Sequence, residues 1–90
     1  MKKTDLVQNL TEMTSLPKSD VKLAVDLIIE SITKSIVSGE GVEIRGFGGF
    51  LKKHRKARQG INPKTSERTQ VDEKYVPFFK PGKSLKEIVN

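Results

Sequence analysis

Cations dominate the side chains of this chain that could do chemistry. It carries 17 Lys and Arg against 11 Asp and Glu, a single histidine and no cysteine. His54 lies between Lys53 and Arg55, with no cysteine and no metal-ligand cluster beside it, and so reads as a surface residue of a basic strand rather than a catalytic one. Glu43, Asp72 and Glu73 form no paired-carboxylate arrangement that spacing supports. The glycines of GFGGF, residues 46–50, do not lead into a helix, as a dinucleotide fingerprint requires. Neither catalysis, a metal nor a cofactor is expected. What the residue types offer instead is attraction for a polyanion.

The distribution of charge points the same way. Residues 1–44 carry a net −2 and residues 45–86 a net +9, within a total of +6. A concentrated positive field attracts nucleic acid before membrane, because the basic half has no apolar helical face to enter lipid. The alternatives are a solubilising surface, or a basic scaffold that binds acidic proteins or other polyanions. RQGINPKTSE, residues 58–67, sharpens the choice. Between Lys52 and Gln70 the only apolar side chains are Ala57, Ile61 and Pro63, too few to bury a core. Asn-Pro commonly marks a turn. A rigid proline offered at the tip of a basic arm is also the kind of wedge that minor-groove proteins insert between base pairs.

The elements that must hold these residues follow from period. Leu6, Leu10 and Met13 recur at helical spacing with Asp5 in the first turn, predicting a helix over about 3–14. Pro17 can open a second helix, and Val21, Ala24, Val25, Ile28, Ile32 and Ile36 mark its stripe up to Gly39, which predicts about 18–38. That stripe is wider than the first helix can cover. A chain of 90 residues with 34% hydrophobic content and no disulfide is marginal alone, so a second subunit is expected, identical or paralogous.

After Gly39 the period shortens. Val42-Glu43-Ile44-Arg45 alternates, a tight turn is expected near Gly46, and Phe47 and Phe50 are expected in the core. A turn over Gly60 to Thr65 and a returning strand through QVDEKYVPFF bring Tyr75, Val76, Phe78 and Phe79 back to the body. A short terminal helix then turns Leu85, Ile88 and Val89 inward. The class is α+β in the order α-α-β-β-β-α: a helical dimerisation part over 1–39, a sheet over 40–82 with a basic arm at about 52–74, and a helix over 83–90. An arm this long with nothing to pack is functional or disordered. It carries Lys52, Lys53, Arg55, Lys56, Arg58, Lys64 and Arg68, so a phosphate backbone would order it.

Residues 46–65, GFGGFLKKHRKARQGINPKT, resemble the signature of the bacterial HU and integration host factor family: Gly-Phe-x-x-Phe, a basic position at Arg55, then Arg58, Gly60 and Asn62-Pro63-x-Thr65. The likeness extends over all 90 residues through KTDLV, the long second helix and VPFFKPGKSLKEIV. It implies an intertwined dimer whose two β-ribbon arms embrace double-stranded DNA through the minor groove, bending and compacting it in the cytoplasmic nucleoid. Pro63 would intercalate at a kink, and Arg55, Arg58, Asn62 and Lys64 would line the arm, with Lys53 and Lys56 among its cations. Lys3, Lys80, Lys83 and Lys86 would hold flanking DNA against the body, and Ile28, Ile32, Phe47, Phe50 and Phe79 would form the dimer core. Glu43 and Arg45 in VEIRGFGGF look like the beta branch of integration host factor, where the matching residues contribute to site preference. Either Glu43 aims Arg45 at a groove edge or the two form a surface ion pair. Ile61 stands where many members carry a basic side chain. It either extends the wedge or packs on a sugar, and one phosphate contact per arm is forgone.

Overall fold

A computed structural model describes residues 1–61 and 64–90, with the side chains of Ile61, Thr69 and Val71 left aside. Eight elements follow in order: α1 (Lys3–Thr14), α2 (Lys18–Ser38), β1 (Val42–Ile44), β2 (Gly48–Arg55), β3 (Arg58–Ile61), β4 (Arg68–Val71), β5 (Lys74–Pro81) and α3 (Lys83–Val89). The chain divides into a helical unit, Met1–Lys34, and a sheet unit, Ser35–Asn90.

In the helical unit, the Lys2 backbone N–H donates to Asp5 Oδ2 at 2.8 Å, satisfying a donor that the start of α1 leaves open. Ser15 ends α1 in the left-handed region at φ 58°, its N–H reaching the Thr11 carbonyl at 3.0 Å. Pro17 sits just before α2 and accepts from Val21 N at 3.2 Å, where its missing N–H is no loss. Val7, Val21 and Val25 are the buried core, with Leu6 and Leu10 packed against them. Three valines are a small core, and Leu27, Ile28 and Ile29 on α2 stay exposed. Contiguous exposed apolar surface of this kind marks an interaction face.

The sheet unit begins at the last turn of α2, where the Gly41 N–H reaches the Ser35 carbonyl at 3.0 Å. A three-stranded antiparallel sheet runs in the order β1-β2-β5, and β3-β4 form a separate two-stranded ribbon. The turn is where the sequence predicts it: Gly46 has φ 84°, and the Phe47 N–H closes onto the Ile44 carbonyl at 3.0 Å. Arg45 falls in this turn and not in the strand.

Other expectations need correction. The three-stranded antiparallel sheet and the order α-α-β-β-β-α stand as expected, but the two long strands of the arm are each interrupted, at Lys56–Ala57 and at Asp72–Glu73, which divides them into five segments with β1. Gly60 belongs to β3, paired with Thr69, and the expected turn therefore starts later. Ile88 and Val89 are 81% and 75% exposed, not turned inward, because a helix of two turns has one narrow contact side, which Leu85 half fills. Phe47 packs its ring 5.2 Å from Phe79, which in turn lies 4.8 Å from Phe50, yet Phe47 itself remains 41% exposed. Tyr75 and Phe78 also stay exposed, while Val76 and Phe79 are half-buried. No helix is long and apolar enough to cross a membrane among the described residues.

Candidate nucleic-acid interface

The pairing of β2 with β5 decides which side chains share a face. Residues directly opposite lie on the same side, and the side alternates along each strand. The register pairs Phe50 with Phe79, Lys52 with Pro77 and His54 with Tyr75 on one face, to which β1 adds Val42 and Ile44 through their pairing with Phe50 and Gly48. We term this the aromatic face. The other face pairs Gly49 with Lys80, Leu51 with Phe78, Lys53 with Val76 and Arg55 with Lys74; Glu43 joins it opposite Gly49. This is the basic face.

Two adjacent lysines therefore have different tasks. Lys52, on the aromatic face, donates from Nζ to the Val37 carbonyl at the C-terminal end of α2 at 3.0 Å and lies 4.7 Å from the Tyr75 ring centroid. It satisfies an orphan carbonyl and meets the negative end of the helix dipole. It is a structural residue, not one of the arm's available cations. Lys53, on the basic face, lies over the Phe78 ring at 4.7 Å and keeps its charge available to a ligand. His54 Nε2 is 2.9 Å from Glu73 Oε1, and its ring centroid lies 5.1 Å from that of Tyr75, tilted by 52°. Sequence placed His54 on the surface of a basic strand, and there it stands.

Arg55 and Lys74 face one another across the ladder, and among the described residues neither forms an ion pair. Like charges directly opposite destabilise a sheet. Around them opens a cleft of about 340 Å³ lined by Lys53, Arg55, Lys56, Arg58 and Lys74, with Asp72 as its acid. It lies at the joint where both long strands are interrupted. Beyond the joint, β3 and β4 carry the ribbon outward, pairing Arg58 with Val71 and the Ile61 backbone with that of Arg68. Lys64 is exposed in the turn that follows. Asn62 and Pro63, the proposed groove contact and wedge, lie outside the described residues.

At the other end of the basic face, Gly82 donates its N–H to the Phe47 carbonyl at 2.8 Å and opens α3. Lys83 and Lys86, exposed and three apart on that helix, share one side of it. Glu43 and Arg45 line a wider concavity of about 710 Å³ with Lys80. No ion pair joins Glu43 to Arg45 among the described residues. Lys3 belongs to the helical unit, and its Nζ contacts Asp26 Oδ1 at 2.8 Å. That hydrogen bond, aided by the charges of Lys3 and Lys22, holds the Asp26 carboxyl below the usual carboxylate range. The stability from the pairing is accordingly present above the ordinary carboxylate pKa, and is lost as pH falls through the lowered folded value.

Sequence reasoning missed Lys74. Only the register places it opposite Arg55, 19 positions away in the chain, and no local pattern reveals a cross-strand partner. Arg68 was legible as an arm cation, but its place beside the Ile61 position was not.

A basic ribbon joined to a sheet with one cationic face defines a polyanion-binding protein. The whole chain, residues 1–90, matches the family described as Bacterial DNA-binding protein, and it belongs to that family, the HU and integration host factor proteins. It is 50% identical over 91 residues to the integration host factor subunit beta of Marinobacter nauticus, spanning all of this chain and 93% of the relative. To the same subunit of Neisseria gonorrhoeae it is 46% identical over 96 residues, spanning all of this chain and 92% of the relative. Among solved structures, the HU of an Anabaena HU–DNA cocrystal superposes with a TM-score of 0.89 at 37% identity, covering 99% of this chain and 97% of that one. HU from Thermotoga maritima superposes at 0.69 with 36% identity over the full length of both. The family is one of DNA-binding proteins, not of enzymes.

Proposed function

We propose that two such chains form a clamp that binds double-stranded DNA, bends it and compacts it within the bacterial nucleoid. The observation that carries this is the Arg55–Lys74 pair, two like charges held opposite each other with no acid bonded to either among the described residues. A phosphate backbone turns that repulsion into attraction. The exposed apolar stripe of α2 around Ile28 supports assembly of two chains, and in this reading Phe47 with the rings packed against it also contributes to the dimer core. The partner chain is a second copy or a paralogue.

In this reading the arms enter the minor groove and Pro63 intercalates at a kink. Asn62, Lys64, Arg58 and Lys56 contact the groove or its phosphates, Ile61 packs beside the wedge or on a sugar, and Lys80, Lys83 and Lys86 hold the flanking duplex. Glu43 and Arg45 bias the choice of site through groove shape more than through base contacts. Affinity for straight and prekinked duplexes, measured over a range of salt, tests the whole. Tighter binding to the prekinked duplex with a steep salt slope is expected, and equal affinity for both would rule out a bending clamp. Pro63→Ala is expected to reduce the bend angle while leaving affinity for a nicked, flexible duplex within about threefold, because unstacking costs a few kcal/mol only where the duplex resists. An unchanged bend angle, read by energy transfer between duplex ends, removes the wedge from the mechanism.

Lys3 provides a separate check. Its ammonium is engaged by Asp26, so Asp26→Asn releases it toward phosphate. The salt slope should steepen by up to about 0.9 unit for each chain, with stability near neutral pH little changed, since exposed pairs contribute little. An unaltered slope takes Lys3 out of the interface.

A further inference from the structure

We propose that Leu51 and Phe78, set in the middle of the basic face, form an apolar contact surface for the deoxyribose edges of DNA and supply a salt-independent part of its affinity. The inference rests on the DNA-binding reading above and adds a component that the cations cannot provide.

Leu51 and Phe78 are directly opposite in the β2–β5 ladder, and each is 36% exposed. Val76, half-buried, continues the strip opposite Lys53. Lys53, Arg55, Lys74 and Lys80 surround these side chains on the same face. Such a mixture is unsuited to a protein core or an apolar protein interface, where four cations would be desolvated with only Glu43 and Asp72 as acids near them among the described residues. The aromatic face, with Phe50, Phe79, Val42 and Ile44, is the side suited to apolar burial. A strip two strands wide, ringed by positive charge, fits an occupant that is itself a charged rail with an apolar edge.

The sugar-phosphate backbone of DNA is such a rail. Its phosphates meet the cations, and the C2′ methylene and ring carbons of deoxyribose meet Leu51 and Phe78. Phe78 also fixes Lys53, whose ammonium lies 4.7 Å from the ring centroid, so the charge is held beside the apolar strip instead of ranging through solvent. A ribose would press its 2′-hydroxyl against the same carbon surface with no hydrogen-bond partner, an unfavourable desolvation. The strip therefore favours deoxyribose over ribose.

The test is a salt titration of the two-chain protein on DNA and RNA duplexes of one sequence, extrapolated to 1 M salt. Phe78→Ala is expected to lose roughly fivefold in affinity for DNA at every salt concentration with an unchanged slope, and less than about twofold for RNA. Leu51→Gln, on the other strand, carries the same expectation, so the inference survives a folding defect in either variant. Phe78→Leu keeps the apolar surface and most of the affinity. Lys53→Met, in contrast, makes the slope shallower by about 0.9 unit per chain. If the Phe78→Ala loss fades toward 1 M salt along the Lys53→Met line, the ring merely positions Lys53 and the proposal is overturned. Equal losses on DNA and RNA, or no loss from either Phe78→Ala or Leu51→Gln, overturn it as well. If Lys53→Met and the other basic-face variants leave the slope intact, the DNA-binding surface itself has been misplaced and both readings fall.

Discussion

Changing Arg55, Arg58 and Lys74 together to glutamine is expected to reduce DNA affinity by on the order of 10³-fold or more at about 0.1 M salt. These three line one cleft at the base of the arm, and two chains would present six such cations. At about 0.9 unit of slope per phosphate neutralised, the dependence of log affinity on log salt should become shallower by up to about 5 units. The wild-type and variant lines should converge toward 1 M salt, where counterion release contributes nothing. Folding should move in the opposite sense. Arg55 faces Lys74 across the ladder, and removing that repulsion relieves up to about 1 kcal/mol. A variant that melts no lower than wild type yet binds far more weakly identifies the cations as functional. Parallel losses of stability and affinity would show instead that the cleft is a structural element, and an unaltered salt slope would move the phosphate contacts elsewhere.

The same residues show what the sequence could and could not disclose. The bounds of the first two helices were legible, because apolar spacings of three and four, Pro17 and Gly39 act through contacts within a few positions. The turn at Gly46 was legible for the same reason. The composition of the basic half identified the kind of ligand, since charge acts at long range and needs no register. Which cation does what was not legible. Lys52 and Lys53 are neighbours in a run of like residues, and the alternation of β2 sends one to the Val37 carbonyl and the other over Phe78. Lys74 acquires its role from pairing with Arg55, a relation between distant segments. The interruptions at Lys56–Ala57 and Asp72–Glu73 carry no proline or glycine to announce them. Ile88 and Val89 were expected to turn inward on hydropathy alone, and their exposure reflects how little surface one chain has to offer them.

Gly48→Ala is expected to destabilise the protein by about 3 kcal/mol, lowering the melting temperature by about 12 °C or more at fixed protein concentration. A Cβ built at Gly48 falls 2.6 Å from the Lys80 carbonyl oxygen and 2.8 Å from the Phe79 ring. Neither can yield cheaply. The carbonyl belongs to the backbone of β5, paired residue by residue with β2, and the ring is held between Phe47 and Phe50. Gly49 is the internal control: its Cβ would meet only the Val42 carbonyl at 3.5 Å, an ordinary contact, so Gly49→Ala should change stability by less than about 0.5 kcal/mol. The two substitutions add the same methyl group at adjacent positions on opposite faces of one strand. Equal melting temperatures would mean that β5 does not press on β2 as closely as the register requires. The difference has a functional consequence below the melting transition. Lys80 lies on the basic face directly opposite Gly49, and its backbone is what a Gly48 methyl would displace. Gly48→Ala should therefore weaken DNA binding even in the folded protein, through Lys80, whereas Gly49→Ala leaves that strand where it is.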